Sequence, residues 1–278
     1  FLLLSSKPAP PATNQVVGHV RFLSSGRLYL NNNHGINDEA QINLQNIPNP
    51  TSGKAYYAWL LGDTTEEGMP PLLLGNGPLA VTNGSVNFLY RGNTQQNNLL
   101  TDYSRFLITE EDAQATPSIP SIDFNTWRFM AKISRIPDPK DTRFHFSILD
   151  HLRHLLSDES TITKLGLYGG LGIWLLRNTE EVFKWAIGAK DRWDSKNTAS
   201  IRQNLINILY YLDGYSCIAP DLQNIPPGAI TTPENGTIGN IAHQALIEPC
   251  SQHGLGLVRH IGLHPVSYTH LTLPTILR

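Results

Sequence analysis

Gly53-Lys54-Ala55-Tyr56-Tyr57-Ala58-Trp59-Leu60-Leu61 decides how the front of this chain must be read. Seven apolar residues in succession, three of them aromatic, lie between Gly53 and Gly62. A short aromatic run closed by glycines reads as a buried strand, since it is too short for a helix of ordinary length. In such a strand side chains alternate, so Tyr57 and Trp59 share a face with Ala55, and that face is expected in the core. Tyr56, Tyr57 and Trp59 are also residues that could line a carbohydrate groove, a use that burial would preclude.

Working outward, the same texture recurs. Val16-Val17-Gly18-His19-Val20-Arg21-Phe22-Leu23 leads through Ser24-Ser25-Gly26 to Leu28-Tyr29-Leu30. Ala40 to Leu44, Val86 to Tyr90 and Tyr103 to Ile108 follow, each bounded by Gly, Pro or Asn. Short strands at this spacing predict a β-sandwich over residues 16–120. Residues 121–142 combine Pro-bearing linkers with one more strand, in which Trp127, Phe129, Ala131 and Ile133 alternate with Arg128, Met130 and Lys132.

Beyond this the period changes, and residues 143–214 read as a helical domain. Asp141 or Thr142 can cap a helix through Ser157. On it Phe146, Ile148, Leu149, Leu152, Leu155 and Leu156 fall on one arc, while Ser147, Asp150, His151 and His154 fall on the other. An apolar helix from Leu165 to Leu176 precedes a second run with Val182, Ala186, Ala189 and Trp193 on one stripe. A third places Ile201, Leu205, Ile208 and Leu212 together and stops at Asp213-Gly214. Residues 215–264 return to irregular structure, with short strands near Ile238 and Leu257. The predicted fold class is therefore a β-sandwich N-terminal domain plus a small, mainly α-helical C-terminal domain.

Both ends carry their own signals. Phe1-Leu2-Leu3-Leu4 followed by a Lys and a Pro/Ala/Ser stretch gives residues 1–15 the look of a membrane-helix stub leaving the bilayer into a linker. Val266-Ser267-Tyr268-Thr269-His270-Leu271-Thr272-Leu273-Pro274-Thr275 matches one reading frame of the adapter used in transposon-based DNA library preparation. Ten residues are too many for coincidence, so 265–278 is read as a translated adapter and left out of the fold prediction.

Composition narrows the function classes. Charged residues make up only 16% of the chain and the formal net charge is -2, with no long block of either sign. Nucleic acid and anionic membranes demand a concentrated basic face, so neither is an expected partner. The two cysteines, Cys217 and Cys250, cannot form a four-ligand zinc site. They are read as two separate buried thiols, or as one disulfide if the chain is exported.

Ile47-Pro48-Asn49-Pro50, the Gly53 to Leu61 run, the Gly75 to Gly84 stretch and Phe106-Leu107-Ile108-Thr109-Glu110-Glu111 with Pro117 beyond are similar to a known family. Together they resemble the extracytoplasmic domain of anti-sigma-K-like factors, in which such strands belong to a β-sandwich beyond a single membrane helix. The resemblance covers residues 16 to 120 and implies location and architecture. The proline of the family's strand is replaced here by Glu111-Asp112, and the cytoplasmic sigma-binding part is absent, so sigma binding is not carried over.

Candidate chemistry is sparse. His151 and His154 are one turn apart beside Asp150 and could share a metal, but their polar arc makes them a solvated pair. His145 falls near the centre of the apolar arc, as a core or helix-start histidine. These three are the candidate cofactor-binding residues; no catalytic residue, metal ligand set or cofactor is assigned. His260 and His264 are also four apart, with Gly262 weakening any helix between them. Gly166, Gly169, Gly170 and Gly172 match neither dinucleotide-binding nor P-loop spacing, and are read as small residues allowing helices to approach. The apolar stretch from Leu165 to Leu176 is about half a bilayer span and is read as a buried helix, with a membrane-touching helix as the alternative because Trp174 and Arg177 close its end. Glu110-Glu111-Asp112 and Glu180-Glu181 are runs of acids rather than a separated catalytic pair. Asn83-Gly84-Ser85 and Asn235-Gly236-Thr237 fit glycosylation sequons.

The expected function is a membrane-anchored extracytoplasmic binding or regulatory protein without catalysis, with a protein partner. The competing expectation is an exported small-molecule, metal or haem carrier using His145 and the helical domain.

Overall fold

A computed structural model describes residues 16–26, 34–63, 69–139, 142, 145–157, 163, 168–212 and 273–277, the last of these by their backbone. Leu28 to Leu30, Gly166, Cys217, Cys250, His260, His264, Asn235 and the 215–264 extension lie outside the described residues. The chain divides into two compact units, the first holding Asn37–Ser134 with both terminal strands, the second Arg135–Ser267 with Gly26–Ile36.

The first unit is built from β1 (Val16–Leu23), β2 (Glu39–Leu44), β3 (Lys54–Leu61), β4 (Leu72–Leu73), β5 (Val86–Tyr90), β6 (Arg105–Asp112), β7 (Trp127–Lys132) and β8 (Leu273–Leu277), with a short helix α1 (Leu99–Asp102). Hydrogen bonding links them in the order β4-β3-β6-β7-β8-β1-β2-β5, every pairing antiparallel. The ladder forms two layers, β1-β2-β5 and β4-β3-β6-β7, whose inward residues meet in one core. Val20, Ile42 and Val86 from one layer join Ala58, Phe106 and Phe129 from the other. This is the expected sandwich followed by a cluster of helices. The strand at Trp127–Lys132 belongs to the sandwich through its pairing with β6.

Alternation explains most of the layering. In β2, Ala40, Ile42 and Leu44 are buried between the partly exposed Glu39, Gln41 and Asn43. In β1 the alternation slips, because Val17 and Val20, three apart, are both buried. The slip is centred on Gly18, where a Cβ would stand 2.1 Å from the Asn43 carbonyl oxygen, so only glycine allows β1 that close to β2.

β3 is the exception to one-sided burial. Tyr56, Ala58 and Leu60 face the core between the layers. Tyr57 and Trp59, also fully buried, lie on the opposite side in a second cluster with Leu107, Trp127 and Met130. The Tyr57/Trp59 face is thus buried as expected, but it is not the face that joins the two layers.

The second unit contains α2 (Ile148–Leu156), α3 (Leu171–Asp191) and α4 (Thr198–Leu212). Three features depart from the sequence-based expectation. α2 starts five residues later than a cap at Thr142 would set it, because Ser147 accepts from the Asp150 amide while Asp150 accepts from the Ser147 amide. That reciprocal pair satisfies two orphan donors at once, which an isolated cap cannot do. The apolar segment ending at Leu176 and the Val182 run are one helix, α3, since nothing between them breaks helical geometry. On α4 the stripe is rotated: Leu205 is half exposed, while Asn204, Ile206, Asn207 and Tyr211 are buried.

Candidate functional site

The polar tips of the β3 aromatics are all engaged within the first unit. Tyr56 Oη donates to the Pro48 carbonyl at 3.2 Å, and Tyr57 Oη to the carbonyls of Ala115 at 2.8 Å and Asp112 at 3.1 Å. Trp59 Nε1 donates to Thr109 Oγ1 at 3.0 Å, which itself donates to Glu111 Oε1 at 2.6 Å; the same Glu111 oxygen accepts from the Ser121 amide. Every polar tip is used to hold neighbouring strands and loops, and all three rings are buried. They cannot stack on a sugar.

The acidic run is likewise divided by the strand alternation of β6. Glu110 points to the side of Tyr56, where it accepts from the Thr51 amide and forms an ion pair with Arg128. Burial would raise the Glu110 carboxyl, but the Thr51 hydrogen bonds and the Arg128 guanidinium outweigh it and hold the group below the ordinary carboxylate value. Glu111 braces the opposite face, and Asp112 caps a turn by accepting from the Gln114 amide. The three carboxylates do three separate structural jobs.

The candidate histidines are not brought together. His145 is an exposed residue ahead of α2 with a left-handed backbone, φ 53°, and not a core position of the helix. The ring of Phe146 stands edge-on to both His151 and His154, with centroids 5.4 and 5.8 Å apart. These two imidazoles are therefore half-buried against an aromatic neighbour rather than fully solvated. Among the described residues, no group of three or more His, Cys, Asp or Glu could hold a metal ion.

The glycine stretch works by close approach. A Cβ on Gly170 would stand 2.2 Å from the carbonyl of Leu155, and one on Gly172 3.1 Å from the Leu155 side chain. α3 thus begins directly against α2. Trp174 and Arg177 are buried, in keeping with the reading of this stretch as a buried helix and not with its membrane-touching alternative: the guanidinium lies 4.7 Å from the Trp174 ring centre, and Trp174 Nε1 donates to the Tyr168 carbonyl. Burial lowers the Arg177 pKa, against the opposing field of Glu180. Gly188 lets α4 come close, since a Cβ there would stand 2.9 Å from Asn204 Nδ2. Beside it Gln203 donates to Asn207 at 3.0 Å, and burial, aided by Glu181, pushes the Tyr211 phenol up.

The opposite side of α3 is a different kind of surface. Leu176, Phe183 and Ile187 are exposed, Phe183 by 67%. Steps of seven and four residues keep them on one stripe of a helix. Trp193, 69% exposed, follows the helix end and lines a cavity of about 780 Å³ together with Lys190, Asp191 and Asp194. Of the stripe expected from sequence, only Ala189 is buried, and Trp193 lies past the helix terminus. Phe183 and Ile187 were missed because Val182 and Ala186, one residue earlier, are apolar too. The larger side chains at i, i+4 were the signal to follow.

Among the described residues, no helix is long and apolar enough to cross a membrane. No protein-family model, no curated protein and no solved structure matches this chain.

Proposed function

We propose that this is a non-catalytic binding or regulatory protein, presented outside the cell membrane and anchored to it, whose helical unit recognises a protein partner. The observation that carries the reading is the outward stripe of α3. Single exposed apolar residues are ordinary, but Leu176, Phe183 and Ile187 fall on one stripe of α3, with the exposed Trp193 just past its end, an alignment of the kind partners cover. The sandwich supports it from the other direction: its acids and aromatic tips are engaged in holding strands, which makes it a platform. The resemblance of residues 47–61 and 106–111 to extracytoplasmic domains of anti-sigma-K-like factors supports the location. No cofactor and no nucleic acid belong to this reading.

The test is site-directed photo-crosslinking in cells carrying the source gene. A photo-reactive residue at Phe183 is expected to give a discrete protein adduct, and the same residue at the exposed Arg21 of β1 none. The I187S substitution should abolish the adduct from position 183. Purified chain that carries stoichiometric metal or a Soret band, with no adduct from position 183, would replace this reading by the carrier.

A further inference from the structure

The outward stripe of α3 carries more order than its exposure alone. Leu176, Glu180, Phe183, Ile187 and Lys190 follow one another at steps of four, three, four and three, the spacing of a helix seam, and all five are exposed. The seam holds an acid near its start, a base at its end and two large apolar side chains between them. Lys184 is engaged by Glu181 within its own helix at 3.0 Å, which leaves Lys190 as the base of the seam.

These residues are placed symmetrically about position 185. Phe183 and Ile187 stand two residues to either side of it, and Glu180 and Lys190 five to either side. Leu176 lies nine before it and Trp193 eight after. In an antiparallel pair of helices, a residue on one side of the midpoint meets the residue equally far on the other side. Two copies of α3 joined antiparallel at position 185 thus set Phe183 of each against Ile187 of the other, and Glu180 of each against Lys190 of the other. Leu176 comes over Trp193, at the cavity that Trp193 and Lys190 line.

Charge decides between the occupants of such a stripe. A lipid surface is disfavoured by Glu180, which sits in line with the apolar residues and would face anionic headgroups. A second copy answers Glu180 with Lys190, and does so twice, because a twofold contact uses the same patch on both chains. Arg177, Asn178 and Ala189 are buried on the inner side of the helix, so pairing through the stripe leaves the interior of the unit untouched.

We infer that the protein partner of α3 is a second copy of this chain, held by an antiparallel, twofold contact along Leu176, Glu180, Phe183, Ile187 and Lys190. This rests on the reading of α3 as a recognition surface and names its partner.

Sedimentation equilibrium of the full chain over a range of concentrations tests it. The chain is expected to reach twice the monomer mass. Glu180→Lys alone and Lys190→Glu alone should each raise the dissociation constant by about tenfold or more, because like charges then meet at both ends of the seam. An equimolar mixture of the two variants should recover the native constant, since in the mixed dimer each end again holds opposite charges. That recovery also shows that both variants fold. A chain that stays monomeric at every concentration, or a mixture no tighter than its components, overturns the inference. Crosslinking from position 183 separates this failure from that of the wider reading. An adduct of twice the chain mass supports the inference. An adduct with a different protein, from a chain that sediments as a monomer, overturns it and leaves the recognition surface standing. A monomeric chain with no adduct overturns both.

Discussion

Glu110 shows how much a single side chain in this molecule carries. It is buried, ionised, and tied both to the Thr51 amide and to Arg128 across the β6–β7 pair. Its folded pKa lies below the ordinary 4.5, so its contribution to stability is complete above that pH. The contribution is lost as pH falls through the lower folded value, because protonation then costs more in the folded chain than in the unfolded one. Glu110→Gln should therefore lower stability near neutral pH by about 2 kcal/mol, the scale of a hydrogen bond to a charged group. It should also flatten the acid limb of a stability-against-pH curve measured by urea denaturation. Trp59→Ala removes a fully buried indole and the donor to Thr109, and is expected to cost about 3–5 kcal/mol in the same assay. The sequence revealed that Trp59 would be buried. It could not reveal the Trp59–Thr109–Glu111 chain, since that depends on which β6 residue stands across from which on β3. The acids looked equivalent in one dimension, and pairing alone made them different.

At the level of elements, the strands were legible except for β4 and β8, and the helix limits were not. Strand texture is local: the glycines, prolines and asparagines that close each run sit beside it. Helix ends instead turn on which of several competent side chains wins. Asp141, Thr142 and Ser147 can all cap, and Ser147 prevails because Asp150 completes a reciprocal pair with it. Ser147→Ala should cost about 1 kcal/mol by chemical denaturation, whereas Thr142→Ala at an exposed turn should cost less than about 0.5 kcal/mol. Gly170 makes a parallel point for packing. Its Cβ would meet backbone of α2, which cannot swing aside, so Gly170→Ala should destabilise by about 2–3 kcal/mol, alanine also being the poorer residue at this N-cap of α3. The fusion of two expected helices into α3 and the rotation of the α4 stripe share one cause. Arg177, Asn178, Asn204 and Asn207 are polar residues on the inner faces, and a rule that sends polar residues outward turns those helices the wrong way.

Across the whole molecule, the two units draw on different residues for their interiors. Tyr56, Phe106 and Phe129 serve the sandwich; Leu149, Leu152, Leu171 and Trp174 are buried in the helical unit. Calorimetry should resolve two transitions, with Trp59→Ala shifting one and Gly170→Ala the other. A single transition displaced equally by both substitutions would show that the units melt as one. The two-part plan was visible in the sequence from the change of period near Phe144. The exposed apolar stripe of α3 was hidden, because α3 is apolar on two sides and periodicity does not say which side meets the interior.

β3 has apolar residues on both of its faces, and this bears on how the chain finds its alignment. Most strands are indexed by an oily side and a wet side, so that sliding by one place is punished at every residue. A slide of β3 would exchange one ring for another and meet little such penalty. The indexing falls to the atoms at the ring tips: the Tyr57 hydroxyl must reach Asp112 and Ala115, and the Trp59 N–H must reach Thr109. Here the hydroxyl and the indole N–H act as the notches of a key, and the hydrocarbon around them only supplies its weight.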